Sequence, residues 1–403
     1  MGNAIHIGVF GNRNSGKSSL INSVTGQTIS IVSATPGTTT DPVRKRMELA
    51  GIGPVTFIDT AGIDDEGELG KMRVGKSIDI IRQSDMAILL ITNNDLDKYE
   101  KSIIGLFEKA KLPYIIVHSQ SDIIPLEDNF GKRLSEKYGV PVVEYSSAHI
   151  DEHEQKRDID KLIEQIRLTT LKSSQTNRAE GLFGGLISKG DIAVLVCPID
   201  AGAPEGRLIL PQINAIREIL DRGATSVVLQ PESLAAYVAG NGSSIKIVVT
   251  DSQVFNYVSS VVPRNIFLTS FSILLARSRE NFDDYIKGVR QIDMLRDGDR
   301  VLILESCSHH ASCDDIGRIK IPTLLTKYTG KNLKFEFIPG LEKLPDDMAS
   351  FSLAIQCGGC MVTDRQLANR VDEIISRGIC ITNYGMAIAY CNEIFDRSTL
   401  FLK

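Results

Sequence analysis

The sequence has no excess of basic residues and no long apolar run. Its 45 lysines and arginines are outnumbered by 50 aspartates and glutamates, which gives a formal net charge of -5. Electrostatic capture of a nucleic-acid backbone is therefore not expected. No apolar stretch approaches the ~20 residues that a membrane-spanning helix needs, and the chain shows no start of signal-peptide type. We expect a cytoplasmic protein that binds neither nucleic acid nor a membrane.

Cysteines are too few and too clustered to form a disulfide framework. The chain has seven in 403 residues, and thiols in the cytosol are kept reduced. Three of the seven lie in two short motifs near the C-terminus, so metal binding or reactivity is the better expectation for them. The length itself suggests two to three domains.

A phosphate-binding motif lies near the N-terminus. The apolar strand pattern of residues 4–10 leads into Gly11-x-x-x-x-Gly16-Lys17-Ser18, and a helical pattern follows. Glycines let successive backbone N–H groups face phosphate oxygens, Lys17 supplies a charge to the outer phosphates, and the Ser18 hydroxyl can reach Mg²⁺. The residues expected to contact the nucleotide here are Asn12, Arg13, Asn14, Ser15, Gly16, Lys17, Ser18 and Ser19.

The next two motifs carry the chemistry expected of a nucleoside triphosphatase. The short apolar strand of residues 55–58 ends at Asp59, which can join Ser18 in holding Mg²⁺, and the Gly62 N–H can sense a γ-phosphate. The polar loop before it contains Thr39, whose hydroxyl can reach the same ion. Lys17, Asp59 and Gly62 are therefore the predicted catalytic residues.

Taken together, these spacings resemble the Era and TrmE-like branch of the translation-factor class of GTPases. The resemblance implies GTP as substrate, with a first switch around Thr39 and a second beginning at Asp59. The branch is known for potassium-assisted hydrolysis through a P-loop asparagine, which matches Asn14; an ordinary loop residue is the alternative. Ile63 follows Gly62 and cannot orient the attacking water, so slow, potassium-stimulated hydrolysis is expected.

The loop that reads guanine departs from the family pattern. Where the family has Asn-Lys-x-Asp, residues 119–122 read Ser-Gln-Ser-Asp. Asp122 keeps the carboxylate that can accept from guanine, but the asparagine and the stacking lysine are replaced. Ser147 and Ala148, after another strand pattern, resemble the loop whose backbone faces the base. We expect weakened base discrimination or affinity.

Alternating strand and helix patterns along the whole chain predict an α/β fold with mostly parallel sheets. The expected division is a P-loop GTPase domain at 1–172, a linker at 173–190, an α/β domain at 191–262 and an α/β domain at 263–403. The linker is proposed because its composition shifts to Ser, Thr, Gln, Asn and Gly.

The clustered cysteines follow two predicted strands. One strand pattern delivers Cys307-Ser308-His309, and the other delivers Gln356, Cys357 and Cys360. Strand ends are where α/β sheets usually place ligands. Cysteines with this spacing could bind zinc or supply three of the ligands of an iron-sulfur cluster. Burial in an ordinary core is the third alternative.

The C-terminal motifs, combined with the GTPase pattern, resemble the HydF family of [FeFe]-hydrogenase maturation GTPases. The resemblance covers nearly the whole chain and includes several phrases that are not generic to GTPases. These phrases lie at residues 37–42, 198–204, 250–254, 315–322 and 382–385. The family resemblance implies dimerisation for the segment at 191–262 and iron-sulfur cluster binding for the segment at 263–403.

This resemblance implies a homodimeric scaffold that carries a [4Fe-4S] cluster on Cys307, Cys357 and Cys360, with His309 as a candidate fourth ligand. A transient two-iron precursor, supplied by two radical-SAM maturases, would be held there and passed to apo-[FeFe]-hydrogenase. GTP, Mg²⁺ and K⁺ would serve the N-terminal domain. One departure concerns Gln356, because the family often has histidine there. The alternative function is a GTPase acting on the ribosome or tRNA, with a structural zinc site.

Overall fold

The computed structural model describes residues 4–26, 43–60, 70–147, 152–178, 181–199, 208–306, 315–359 and 362–402. The chain divides into two compact units, Gly2–Thr176 and Asn177–Lys403. Because strands follow the apolar runs and are mostly parallel, the α/β prediction is confirmed. No helix in the described ranges is both long and apolar enough to cross a bilayer.

The first unit is built on a six-stranded sheet with strand order β2-β3-β1-β4-β5-β6. All neighbours pair in parallel except β2 and β3, which are antiparallel. Its strands are β1 (Ile5–Gly11), β2 (Val43–Leu49), β3 (Gly53–Asp59), β4 (Met86–Ile91), β5 (Tyr114–Ser119) and β6 (Val142–Tyr145). Its helices are α1 (Lys17–Thr25), α2 (Gly70–Gln83), α3 (Lys98–Lys109), α4 (Asp128–Tyr138) and α5 (Glu152–Arg178).

Two apolar clusters cover the two faces of this sheet. Val9 and Ile88 belong to one cluster, while Phe10 and Leu89 belong to the other, because successive side chains of a strand point to opposite faces. The central strand β4 is consequently apolar and buried at every position, as expected for a parallel strand covered on both faces. The antiparallel edge strand β2 alternates exposed and half-buried residues, and its sequence pattern did not predict it.

The second unit contains two four-stranded sheets, with orders β10-β9-β7-β8 and β12-β11-β13-β14. Every pair is parallel. The strands are β7 (Ile192–Val196), β8 (Thr225–Leu229), β9 (Ile245–Thr250), β10 (Phe267–Ser270), β11 (Arg300–Leu304), β12 (Lys334–Ile338), β13 (Phe351–Gln356) and β14 (Ile381–Asn383). The helices are α6 (Leu210–Asp221), α7 (Pro231–Asn241), α8 (Phe255–Val261), α9 (Phe271–Arg277), α10 (Phe282–Val289), α11 (Ile321–Thr329), α12 (Asp364–Ser376), α13 (Tyr384–Cys391) and α14 (Phe395–Thr399).

The structure shifts the boundaries expected from the sequence. β10 pairs with β9, so residues 267–270, which the expected division places in the domain beginning at 263, belong to the sheet of the middle segment. Likewise, α5 continues to Arg178, through the beginning of the predicted linker. Both sheets of the second unit share one apolar cluster, and we therefore describe them as one compact unit. The domain division as a whole stays a prediction.

Helix α10 packs so closely on β14 that only glycine fits at the contact. Gly288 is buried, and a Cβ built there would overlap the backbone carbonyl of Ile381. Backbone cannot move aside as a flexible side chain can, so the helix would have to shift away from the sheet.

We predict that Gly288→Ala lowers the free energy of unfolding of the second unit by about 1–3 kcal/mol. The matched control is Gly240→Ala, at an exposed position of α7 with open space around it, which should gain about 0.5–1 kcal/mol. The urea dependence of amide hydrogen exchange in β13 and β14 measures both changes. Equal stability of the two variants would contradict the close approach of α10 to β14.

Candidate functional site

The loop between β1 and α1 has the backbone conformation that a phosphate cradle requires. Gly11, Asn14 and Gly16 have φ values of 147°, 59° and 87°, and two glycines and an asparagine are the residues that tolerate them. A Cβ on Gly11 would also lie 2.7 Å from the carbonyl oxygen of Leu90. Helix α1 begins at Lys17, so its free N–H groups face this loop.

Lys17 lies inside the loop rather than on its surface. Its side chain is 4% exposed, and Nζ donates to the carbonyl oxygens of Gly11 at 3.0 Å and Asn12 at 2.7 Å. The loop carbonyls therefore hold a positive charge within the cradle. Arg13, Asn14, Ser18 and Ser19, in contrast, are exposed around it.

The two predicted magnesium ligands in the described residues come together. The Ser18 hydroxyl donates to Asp59 Oδ2 at 2.7 Å, because α1 follows β1 and Asp59 ends the neighbouring strand β3, in register with Val9. A hydroxyl and a carboxylate oxygen fit the ligand preference of Mg²⁺. The other predicted switch residues, Thr39 and Gly62, lie outside the described residues.

The residues that differ from the family pattern at the end of β5 form hydrogen bonds to the phosphate loop. Ser119 Oγ lies 2.7 Å from the Ser15 carbonyl oxygen and 3.2 Å from that of Ile91. Gln120 Nε2 donates to the Asn14 carbonyl oxygen at 2.6 Å. Both residues therefore hold the base loop against the phosphate loop.

Asp122 has the accessibility that a base-reading carboxylate needs. It is exposed, and Ser146 Oγ donates to its Oδ1 at 2.5 Å. Ser147, which follows Ser146 in the sequence, is also exposed, whereas Ala148 lies outside the described residues. The predicted base-side residues that can be described thus lie at the ends of β5 and β6.

A carboxylate pair that the sequence patterns did not single out supports the phosphate loop. Asn12 Nδ2 donates to Asp97 Oδ2 at 2.7 Å and to Glu100 Oε1 at 3.1 Å. Asp97 and Glu100 also form the capping box that begins α3. Burial raises the pKa of Glu100 to about 7. The Asp-x-x-Glu spacing is the signal that could have located the helix start.

The second site lies where β11 and β13 end side by side. Leu304 pairs with Gln356 in the parallel register, and the Cys357 N–H donates to the Leu304 carbonyl oxygen at 2.9 Å. The Ser306 N–H in turn donates to Cys357 Sγ at 3.0 Å. Cys307, His309 and Cys360, the other predicted ligands, lie outside the described residues.

Gln356 is engaged by the protein around this cysteine. It is fully buried, and its Nε2 donates to Ser306 Oγ at 3.0 Å and to the Leu304 carbonyl oxygen at 3.3 Å. The same nitrogen lies 3.9 Å from Cys357 Sγ. Its amide nitrogen therefore links the two strand ends, and Gln356 Oε1 is buried with no hydrogen-bond partner among the described residues.

Two arginines that the sequence patterns did not single out hold the backbone of the cysteine loops. Arg279 donates through Nη1 to the Gly358 carbonyl oxygen at 2.9 Å and pairs with Asp364 at 3.0 Å. Arg370, only 6% exposed, donates through Nη1 to the carbonyl oxygens of Glu305, at 3.2 Å, and Gly340. Burial lowers the pKa of Arg370 to about 10, and among the opposing influences the Cys357 charge is the largest.

The donor set at this site suits a negatively charged sulfur centre. A backbone N–H already points at Cys357 Sγ, and Arg370 Nε and Nη2 are buried with no hydrogen-bond partner in the part of the chain that the structure describes. Within the described ranges no three His, Cys, Asp or Glu side chains group closely enough to hold a metal. Three of the four predicted ligands fall outside those ranges.

Three family models match successive parts of the chain. A 50S ribosome-binding GTPase model matches residues 6–120. The model for the hydrogen maturase F dimerization domain matches residues 182–280, and the model for the hydrogen maturase F tetramerization domain matches residues 283–400. The boundary between the last two lies after β10, in agreement with the sheet pairing.

Curated relatives resemble mainly the N-terminal part. A GTPase Der from Kosmotoga olearia is 31% identical over 191 residues, covering 46% of this chain and 43% of that protein. A GTPase Der from Methylacidiphilum infernorum is 35% identical and covers 34% and 30%. A tRNA modification GTPase MnmE from Nitrosomonas eutropha is 34% identical and covers 30% and 26%. The chain thus spans less than half the length of these relatives.

The relatives are similar to this chain only through its GTPase part, whereas the two hydrogen maturase F models cover most of the rest. These matches confirm the family that the sequence motifs indicated. The chain therefore belongs to the hydrogen maturase F (HydF) family of hydrogenase-maturation GTPases.

Proposed function

We propose that this chain is a GTP-hydrolysing scaffold that carries a [4Fe-4S] cluster and delivers a two-iron precursor to apo-[FeFe]-hydrogenase. The observation that carries this proposal is the position of Cys357. Its sulfur lies at the end of two parallel strands and accepts a backbone N–H bond at 3.0 Å, in a segment that matches a family-specific model. Hydrogen bonds to cysteine sulfur are one means by which proteins tune iron-sulfur centres.

The nucleotide chemistry belongs to the first unit. Backbone N–H groups of the loop and the Lys17 ammonium would bind the phosphates, and the oxygens of Ser18 and Asp59 would hold Mg²⁺. When bound, the metal ion neutralises charge on the transferred phosphoryl group. We propose that Thr39 and the Gly62 N–H complete this site. Asp122 would read guanine, with Ser147 and Ala148 beside the base.

Potassium is proposed as the second cation of the nucleotide site. Asn14 is exposed on the phosphate loop, and its backbone is fixed by its left-handed conformation and by the bond from Gln120. A side-chain amide oxygen carried on this fixed backbone beside the phosphates is suited to a weakly hydrated monovalent cation. With Ile63 unable to orient water, such an ion would supply part of the charge stabilisation.

The cluster would be held by Cys307, Cys357 and Cys360. The amide nitrogen of Gln356 is bonded to Ser306 and Leu304, which supports His309 or an external group as the fourth ligand. Thiolate ligands are the usual attachment for [4Fe-4S] centres. The two-iron precursor is the cargo of this site and not a resident cofactor.

The proposed partners follow from the scaffold function. The descriptions of the two C-terminal family models support self-association of residues 182–400; a homodimer is the simplest form that we propose. Two radical-SAM maturases would supply the precursor, and apo-[FeFe]-hydrogenase would receive it. GTP binding and hydrolysis would regulate these contacts and not drive the organometallic chemistry.

A GTPase that acts on the ribosome or tRNA is the second candidate. It is favoured by the relatives of the first unit and by the 50S ribosome-binding GTPase model. This candidate assigns structural zinc to the cysteine motifs. It gives no account of the two family-specific C-terminal matches, and the metal content of the purified protein distinguishes the two proposals.

Crossed variants test the proposed function, because the two sites lie in separate compact units. After anaerobic reconstitution with iron and sulfide, Lys17→Ala should lose GTP turnover by at least about 100-fold yet keep the iron content and absorbance of the wild type. Cys357→Ala should show the reverse, with GTP turnover retained and iron lost. Each variant is the folding control for the other.

Colourless wild-type protein with stoichiometric zinc would overturn the cluster proposal in favour of the zinc-containing GTPase. Joint loss of turnover and iron in a folded variant would instead show that the two sites are not independent.

For potassium, we predict several-fold faster GTP hydrolysis in KCl than in NaCl at equal ionic strength. Asn14→Gly should abolish this difference, because glycine tolerates the φ of 59° while removing the amide. Phosphate release measures both rates. Equal wild-type rates in the two salts would refute the assignment of Asn14.

A further inference from the structure

Arg370 is a buried charge without a carboxylate partner in the described part of the chain. Its exposure is 6%, and its bonds run to two backbone carbonyl oxygens, those of Glu305 and Gly340. The Glu305 carboxylate is occupied by Arg318 in a two-pronged pair with both distances at 2.9 Å. A buried cation that no carboxylate bonds directly is costly. The charges that raise its pKa are those of Cys357 first and then Glu342, and they only partly oppose the effect of burial.

The peptide group between residues 305 and 306 joins this arginine to the cysteine site. Arg370 Nη1 donates to the carbonyl oxygen of Glu305 at 3.2 Å. The N–H of the same peptide group belongs to Ser306 and donates to Cys357 Sγ at 3.0 Å. The guanidinium and the sulfur thus lie at opposite ends of one planar, polarisable amide.

The residues on either side of this peptide group are held by β13 and β12. Gln356 Nε2 donates to Ser306 Oγ at 3.0 Å and to the Leu304 carbonyl oxygen at 3.3 Å, on the two sides of Glu305 in the chain. The Glu305 N–H donates to the Ile338 carbonyl oxygen at 3.0 Å, which fixes the chain from β12. These bonds fix the backbone before the 305–306 peptide and the Ser306 side chain after it, and thus limit how far the peptide can move away from Cys357.

We infer that Arg370 is a positioning residue that polarises the 305–306 peptide and thereby strengthens its N–H bond to Cys357 Sγ. The inference rests on the proposed function, since it assigns to Arg370 the control of a cluster bound at Cys357. A cation on the carbonyl oxygen withdraws electron density and makes the amide hydrogen a better donor, since hydrogen bonds in a chain polarise one another. Negative charge on the sulfur is stabilised as a result.

For an iron-sulfur centre, this polarisation determines the sign of the expected change in reduction potential. Reduction adds negative charge to the cluster, and donors to sulfur together with nearby positive charge favour the reduced form. Removal of the guanidinium weakens both influences at once. The reduction potential should become more negative, although no ligand to iron has been changed.

The experiment is a redox titration of reconstituted full-length protein, monitored by the EPR signal of the reduced cluster. Arg370→Met keeps an unbranched apolar side chain over most of the arginine stem but removes the charge and the hydrogen-bond donors. At a fixed potential, the ratio of reduced to oxidised cluster should fall about tenfold, which for one electron corresponds to ~59 mV. Arg370→Lys should recover part of the loss, because a charge is kept near the carbonyl.

Arg377→Met is the matched control. Arg377 follows the same helix, α12, but is partly exposed and bonds Glu373 and the Pro345 carbonyl oxygen, away from the cysteine loops. It should titrate like the wild type. An Arg370→Met protein with wild-type iron content and an unchanged reduction potential would overturn this inference but leave the proposed function standing. Absence of a cluster from the wild type would overturn the proposed function and the inference together.

If Arg370→Met does not hold a cluster, Arg370→Lys and Gln356→Leu decide the question. Gln356→Leu removes the hydrogen bonds to Ser306 and Leu304 but leaves the guanidinium in place. The 305–306 peptide is then less firmly held, so the reduction potential of the cluster in this variant should also become more negative. Wild-type potentials in both variants would contradict a role for the 305–306 peptide.

Discussion

The parallel register of neighbouring strands is the constraint on which both sites depend. In the second unit, pairing of Leu304 with Gln356 brings the ends of β11 and β13 together, so that the Ser306 N–H meets Cys357 Sγ. In the first unit, pairing of Val9 with Asp59 delivers the carboxylate to the Ser18 hydroxyl. Because side chains alternate along a strand, a slip of one residue would turn either group away.

The two departures from the family patterns have the same structural effect. Ser119 and Gln120 replace residues that would contact the base, and both bond to carbonyl oxygens of other segments: Ser15, Ile91 and Asn14. Gln356 replaces a histidine, and its amide braces Ser306 and Leu304. In each case a side chain that the family pattern assigns to a ligand is used to hold two loops together. Binding would then depend more heavily on the groups that remain, Asp122 and the cysteines.

Local signals predicted most of the strands, the phosphate loop and the strand end at which Cys357 lies. Those signals are apolar runs, glycine positions and short spacings, all of which act over a few residues. The roles of Arg370 and Gln120 could not be predicted in this way, since Arg370 acts on a carbonyl 65 residues away and Gln120 on one 106 residues away. The sheet to which β10 belongs could not be predicted for a similar reason, because it is set by the pairing of β10 with β9 and not by composition.

The most direct test of this account is anomalous diffraction at the iron and zinc edges, from crystals of anaerobically reconstituted protein. The account predicts an iron peak within bonding distance of Cys357 Sγ, at the ends of β11 and β13, with Cys307 and Cys360 as further ligands. A zinc peak at that position, or iron bound elsewhere with Cys357 free, would contradict it.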